Sequence, residues 1–225
     1  MFLCKLFLFL LLSITLFVNA QKTPAEMRAE YLLYIIKQIE WVNEKDFNVF
    51  KIGVLGNEEN IYNELLKQSN GKKTPYDKDI QIKKFNSISE IQDVQMLYVD
   101  KTSGFEIGKI ILHIKDKHIL LVSENYPFQK SMLNFIVDNK LLRFEINKKR
   151  LETEGLYAKP LFAAKAIRDK ADWEKLYIRT EQKLEEEKLI VEAQSKEIEE
   201  QKKEIEKQKK EIEKQEERIK EQKED

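Results

Sequence analysis

Two histidines, His113 and His118, and a single cysteine, Cys4, are the only residues of those types among the 225 of the chain. A metal centre would have to draw on these histidines. His113 falls in a helical pattern and His118 at a strand start, so they do not share the spacing of two ligands on one helix face. Nucleophilic chemistry needs a Ser, Cys or Lys activated by a neighbouring base, and the chain contains no Gly-x-Ser-x-Gly elbow. Gly53-Val54-Leu55-Gly56 follows a strand pattern and opens a helix pattern. It lacks the third glycine and the spacing through which backbone approaches a pyrophosphate, so its glycines serve chain reversal. These residues predict no catalytic site, no metal and no cofactor: the chain reads as a binding protein and not as an enzyme.

Charge narrows the partners. Lysine and arginine number 40 and so do aspartate and glutamate, 36% of the chain being charged against the roughly 25% usual for globular proteins. The balance hides an asymmetry, since residues 181–225 carry 12 basic and 17 acidic side chains, net −5, which leaves +5 for residues 1–180. Neither part is a polycation, which argues against nucleic acid as a partner.

The chain opens with an address. Lys5 supplies a positive charge, residues 6–18 are almost wholly apolar, and Val18-Asn19-Ala20 offers the residues that a signal peptidase reads. Residues 1–20 are therefore expected to be a cleaved secretory signal peptide, with the exported mature chain starting at Gln21. The apolar run falls short of the roughly 20 residues that cross a bilayer. Cys4 lies ahead of that run, so the mature chain is without cysteine and must rely on its hydrophobic core.

Residues 21–168 carry the pattern of one compact α/β domain. Thr23-Pro24-Ala25-Glu26 is a capping box with Pro at the first helical position. Behind it Ala25, Ala29, Leu32, Ile35, Ile36 and Ile39 form one helical stripe that is expected to end near Trp41 and Val42. Strands are predicted at residues 47–55, 80–85, 96–99, 118–122, 132–137 and 140–146, and helices at 58–68, 105–115 and 148–154, the last capped by Asn147. Asp138-Asn139 suits a two-residue hairpin. Continuous apolar strands alternating with helices predict a Rossmann-like parallel sheet with helices on both faces and an antiparallel edge hairpin.

Three segments in order carry a resemblance: Tyr31-Leu32-Leu33-Tyr34 through Ile39-Glu40-Trp41, then Ile52-Gly53-Val54-Leu55-Gly56, then Leu142-Arg143-Phe144-Glu145-Ile146-Asn147 with Gly155-Leu156 behind it. Over residues 25–167 the chain resembles the YfiR family. That resemblance implies an exported α/β protein that binds the extracytoplasmic domain of a membrane signalling protein, a diguanylate cyclase, and holds it inactive. It does not carry redox sensing over, because well-known members use cysteine pairs and this mature chain has none.

Candidate contact residues are few. Arg143 and Glu145 alternate with Leu142, Phe144 and Ile146, so they share the opposite face of their strand, either as a solvated ion pair or as partner-binding residues. Trp41 reads as core or, if exposed, as an interface anchor.

Residues 169–225 predict a long charged helix. Leu184, Val191, Ile198, Ile205, Ile212 and Ile219 recur every seven residues, whereas the position three further on holds Glu187, Gln194, Gln201, Gln208, Gln215 and Gln222. Half of a coiled-coil seam is thus apolar and half polar. Two readings stand: a weak parallel homodimer through the six apolar positions, or a solitary helix supported by Glu–Lys pairs four residues apart. Two function classes follow, a periplasmic regulator of a membrane signalling enzyme and a structural adaptor with a globular head on a coiled-coil rod.

Overall fold

The computed structural model describes residues 22–138 and 141–224. The expected signal peptide and the Asn139 half of the expected hairpin turn lie outside the described residues.

Helix α1, Pro24–Ile35, starts on the predicted capping box. Thr23 Oγ1 accepts from the Glu26 amide at 3.1 Å, and the Glu26 carboxylate accepts from the Thr23 amide at 2.7 Å. The helix stops before the stripe runs out, which corrects the expected end near Trp41. The amides of Lys37 and Gln38 bond to the carbonyls of Tyr34 and Ile35 in a tight turn, and the chain enters β1, Ile39–Trp41. Ile39 and Trp41 point inward and Glu40 outward, a period of two imposed by antiparallel pairing with β8, Leu156–Ala158. At the mouth of this pair Gly155 has φ +67°, and a Cβ there would lie 2.6 Å from Val42 Cγ2. Only glycine lets the two short strands close.

Six strands form the main sheet: β2 Val49–Leu55, β3 Asp79–Phe85, β4 Met96–Asp100, β5 Leu120–Glu124, β6 Leu133–Asp138 and β7 Leu141–Ile146. Their order is β3-β2-β4-β5-β6-β7, parallel through β6, with β7 antiparallel at the edge and Asp138 paired to Leu141 across two residues. Each boundary falls within two residues of its sequence prediction. Strands β4 and β5 are buried along their whole length, as continuous apolar runs require.

Helix α2, Glu59–Ser69, connects β2 to β3 and packs beside α1. Helix α3, Ile107–Ile114, connects β4 to β5. The two crossovers leave in opposite directions along the sheet, and because such connections are right-handed they place α2 and α3 on opposite faces. Helix α4, Lys148–Thr153, is capped as expected by Asn147, whose side chain accepts from the Arg150 amide. Helix α5, Pro160–Ala164, follows β8. The sequence patterns did not reveal β1, β8 or α5.

The compact unit ends at Trp173, beyond the boundary expected at Arg168. Asp169 Oδ1 accepts from the amides of Ala171 and Asp172, opening α6, Lys170–Glu224. Trp173 in its first turn has no exposed surface and sets its ring 6.3 Å from that of Phe128. The described part of the second unit, from Glu174 to Glu224, is the remainder of this 55-residue helix.

Candidate functional site

The C-terminal ends of the parallel strands, where α/β sheets place their ligands, hold a cluster of buried polar side chains. Met96, Tyr98 and Asp100 alternate onto one face of β4, and register brings Asp100 beside Glu124 of β5. Arg28 of α1 reaches down to this pair. Its Nε and Nη2 donate to the two oxygens of Glu124, and Tyr98 Oη donates to Glu124 Oε2 at 2.7 Å. Glu124 and Tyr98 have no exposed surface. With both oxygens engaged by a guanidinium and a phenol, Glu124 clamps α1 and β4 to β5. Burial, reinforced by the charge of Glu124, pushes the Asp100 carboxyl up to about 6, against the hydrogen bonds it accepts from Thr102.

A second cluster lies on the other face. Asn134 of β6 is its hub: Oδ1 accepts from Ser123 Oγ at 2.9 Å, and Nδ2 donates to the Tyr126 carbonyl at 2.7 Å and to Glu145 Oε1 at 3.2 Å. Glu145 Oε1 also accepts from the Gln129 amide, while Oε2 is buried with no partner. Burial pushes this carboxyl up to about 7, although the bonds from Asn134 and Gln129 pull the other way.

The sequence-predicted contact residues do not come together. Trp41 is 6% exposed, its ring edge-on to Phe50 at 5.1 Å. Glu145 is 2% exposed. Arg143, two residues away on the same strand face, is exposed. No solvated Arg143–Glu145 ion pair forms, because the loop through Gln129 and the segment at Ile167, bridged to Glu145, cover that end of the strand.

The histidines serve the fold. His113 Nε2 bonds to the Ile91 carbonyl at 3.0 Å and His118 Nδ1 to the Glu154 carbonyl at 2.7 Å, with the Glu154 carboxylate accepting from the amides of Asp116 and His118. Among the described residues no group of three His, Cys, Asp or Glu is placed to hold a metal. At Gly56, φ +101°, a Cβ would stand 2.6 Å from Ser103 Oγ and 3.3 Å from the Phe105 ring. The space in which a phosphate would approach that turn is filled by the chain's own side chains.

Sequence reasoning missed the surface beside α1. Four rings from three helices or strands form a continuous ladder there: Tyr31 to Tyr34 at 5.9 Å, Tyr34 to Phe162 at 6.1 Å, and Phe162 stacked on Phe144 at 4.8 Å. Tyr31-Leu32-Leu33-Tyr34 was its only linear trace.

In the second unit Val191, Ile198, Ile205 and Ile212 are each more than half exposed and Leu184 is half-buried, while the side chain of Ile219 lies outside the described residues. Glu199 pairs with Lys203 at 3.1 Å and Glu206 with Lys210 at 3.8 Å. Gln201 and Gln208 donate to Glu197 and Glu204 on their own helix.

Compared with known proteins, residues 25–160 match the model of a family described as YfiR/HmsC-like. No curated protein matches the chain.

Proposed function

This chain belongs to the YfiR/HmsC-like family, and we propose that it is a periplasmic regulatory binding protein that modulates a membrane-bound diguanylate cyclase through the enzyme's extracytoplasmic domain. The family match carries this reading: residues 25–160 span every strand of the domain and both crossover helices. In keeping with it, both buried polar clusters are engaged in holding the sheet. Among the described residues no helix is long and apolar enough to cross a membrane. The reading assigns no catalysis. Control works by stabilising one conformation of the receptor, by as much as the affinity difference between its two states allows. Arg143 is the candidate contact that reaches solvent. With no cysteine after Cys4, binding is indifferent to reductant.

The test is genetic and physical. Deleting the gene should change cellular cyclic-di-GMP and adhesion, and pull-down with the exported chain should recover a membrane cyclase. Unaltered cyclic-di-GMP together with an empty pull-down would overturn the regulatory reading.

The exposed apolar stripe of α6 favours a second reading, an adaptor whose head is carried on a homodimeric rod closed through Leu184, Val191, Ile198, Ile205, Ile212 and Ile219. A head that binds the receptor without the helix would exclude it.

A further inference from the structure

We propose that the groove beside α1 docks an acidic peptide segment of a protein partner, one that presents an apolar or aromatic side chain between its carboxylates; that the partner is a protein rests on the regulatory reading above. The groove encloses about 620 Å³, within the roughly 300–1,000 Å³ of sites that engulf a ligand group. The rings of Tyr31, Tyr34, Phe144 and Phe162 line it, with Met27 and Leu33 beside them. Tyr34 is 38% exposed and Tyr31 partly exposed, while Phe144 and Phe162 are buried beneath them and form the floor. Offset and edge-on rings of this kind receive an apolar or aromatic side chain well.

Charge selects the rest of the occupant. Five lysines surround the rings, and Glu30 is the sole acid among them. Glu30 is taken by Lys22, and Lys73 is taken by Asp77. Lys37, Lys72 and Lys165 have no carboxylate partner among the described residues. The hydroxyls of Tyr31 and Tyr34 likewise have no hydrogen-bond partner among those residues, and both are available as donors. Donors and cations with no acceptor facing them complement carboxylates. A lipid surface is the poorer fit, because peripheral binding uses protruding apolar residues whereas these rings are recessed.

Fluorescence anisotropy with the full exported chain tests this. The probe is a labelled heptapeptide with a central phenylalanine flanked by three glutamates on each side. Its controls carry alanine at the centre or lysines in place of the glutamates, and phosphatidylglycerol vesicles form a separate arm. The glutamate–phenylalanine peptide should bind, the lysine peptide should not, and the alanine peptide should bind about tenfold more weakly. Lys37→Glu with Lys165→Glu, and separately Tyr34→Ala, should each weaken binding by about tenfold or more. Lys45→Glu with Lys115→Glu, at exposed sites away from the groove, should leave it unchanged. Should the double reversal unfold the domain, Lys37→Gln with Lys165→Gln replaces it. Equal binding of the alanine peptide, equal loss at Lys45 and Lys115, vesicle binding without peptide binding, or no binding would each overturn the proposal. No cyclase is present in the assay, so its failure leaves the regulatory reading to stand or fall on the deletion experiment.

Discussion

Arg28 of α1 and Glu124 of β5, 96 positions apart, meet in a two-pronged ion pair, with Nε 2.6 Å from one carboxylate oxygen and Nη2 2.5 Å from the other. The carboxylate is fully buried and the Arg28 side chain 20% exposed. The pair fastens α1 to the end of the sheet. Since Tyr31 and Tyr34 stand on the same helix, it also fixes one wall of the aromatic groove.

Breaking this clamp from one side leaves a charge buried without its partner. Arg28→Met should destabilise the domain by about 3–5 kcal/mol. Adding Glu124→Leu should recover part of that loss, since the orphaned carboxylate is then gone. Urea unfolding of the two single variants and the double variant measures the coupling. Strict additivity would show that the pair is not coupled.

Two carboxyls make stability depend on pH. Asp100 and Glu145 are raised to about 6 and about 7 from 3.8 and 4.5. The native state therefore holds these protons more tightly than the unfolded chain does. Their contribution is fully present below the ordinary carboxylate range and is lost as pH rises, from roughly pH 4 to pH 7. Glu145→Gln should flatten that fall and melt higher than the parent at pH 8. If its melting temperature tracks the parent's across this range, Glu145 does not hold a proton in the folded domain.

Trp173 belongs energetically to the head. Trp173→Ala should cost about 3–5 kcal/mol, as for other buried large aromatics. A chain ended after Arg168 should melt lower than one ended after Leu176. Equal calorimetric melting of the two would show that the ring contributes nothing.

The apolar stripe of α6 should govern self-association, and only that. Ile205→Asn with Ile212→Asn should abolish any dimer seen by sedimentation, because each places an amide in the one apolar layer per heptad. The unfolding midpoint of the head should not move. A dimer that survives both changes must form through another surface.

The main sheet was legible because each of its strands is a run of apolar or alternating residues bounded by turn formers, a pattern that carries its own period. Strands β1 and β8 were not, since three residues give no period and Ile39–Trp41 continues the spacing of α1. Their strand character comes from each other across the domain. Glu145 was misplaced for a related reason. Alternation assigns it a face of β7 but cannot say that a loop from residues 126–131 covers that face. The aromatic groove escaped because Tyr34, Phe144 and Phe162 are brought together only by tertiary packing. Trp173 did leave a signal, a lone tryptophan at the head of a charged repeat.

The α6 repeats at residues 197–203, 204–210 and 211–217 are nearly identical, each opening on Glu-Ile-Glu. Inserting or deleting one such unit would turn the helix by only about 20° and change its length by about 10 Å. The Ile stripe and the Glu199–Lys203 type of pair would stay in phase. Tandem duplication of a short stretch of coding sequence could thus lengthen or shorten this segment in whole steps, without disturbing the residues that keep it helical and without touching the head.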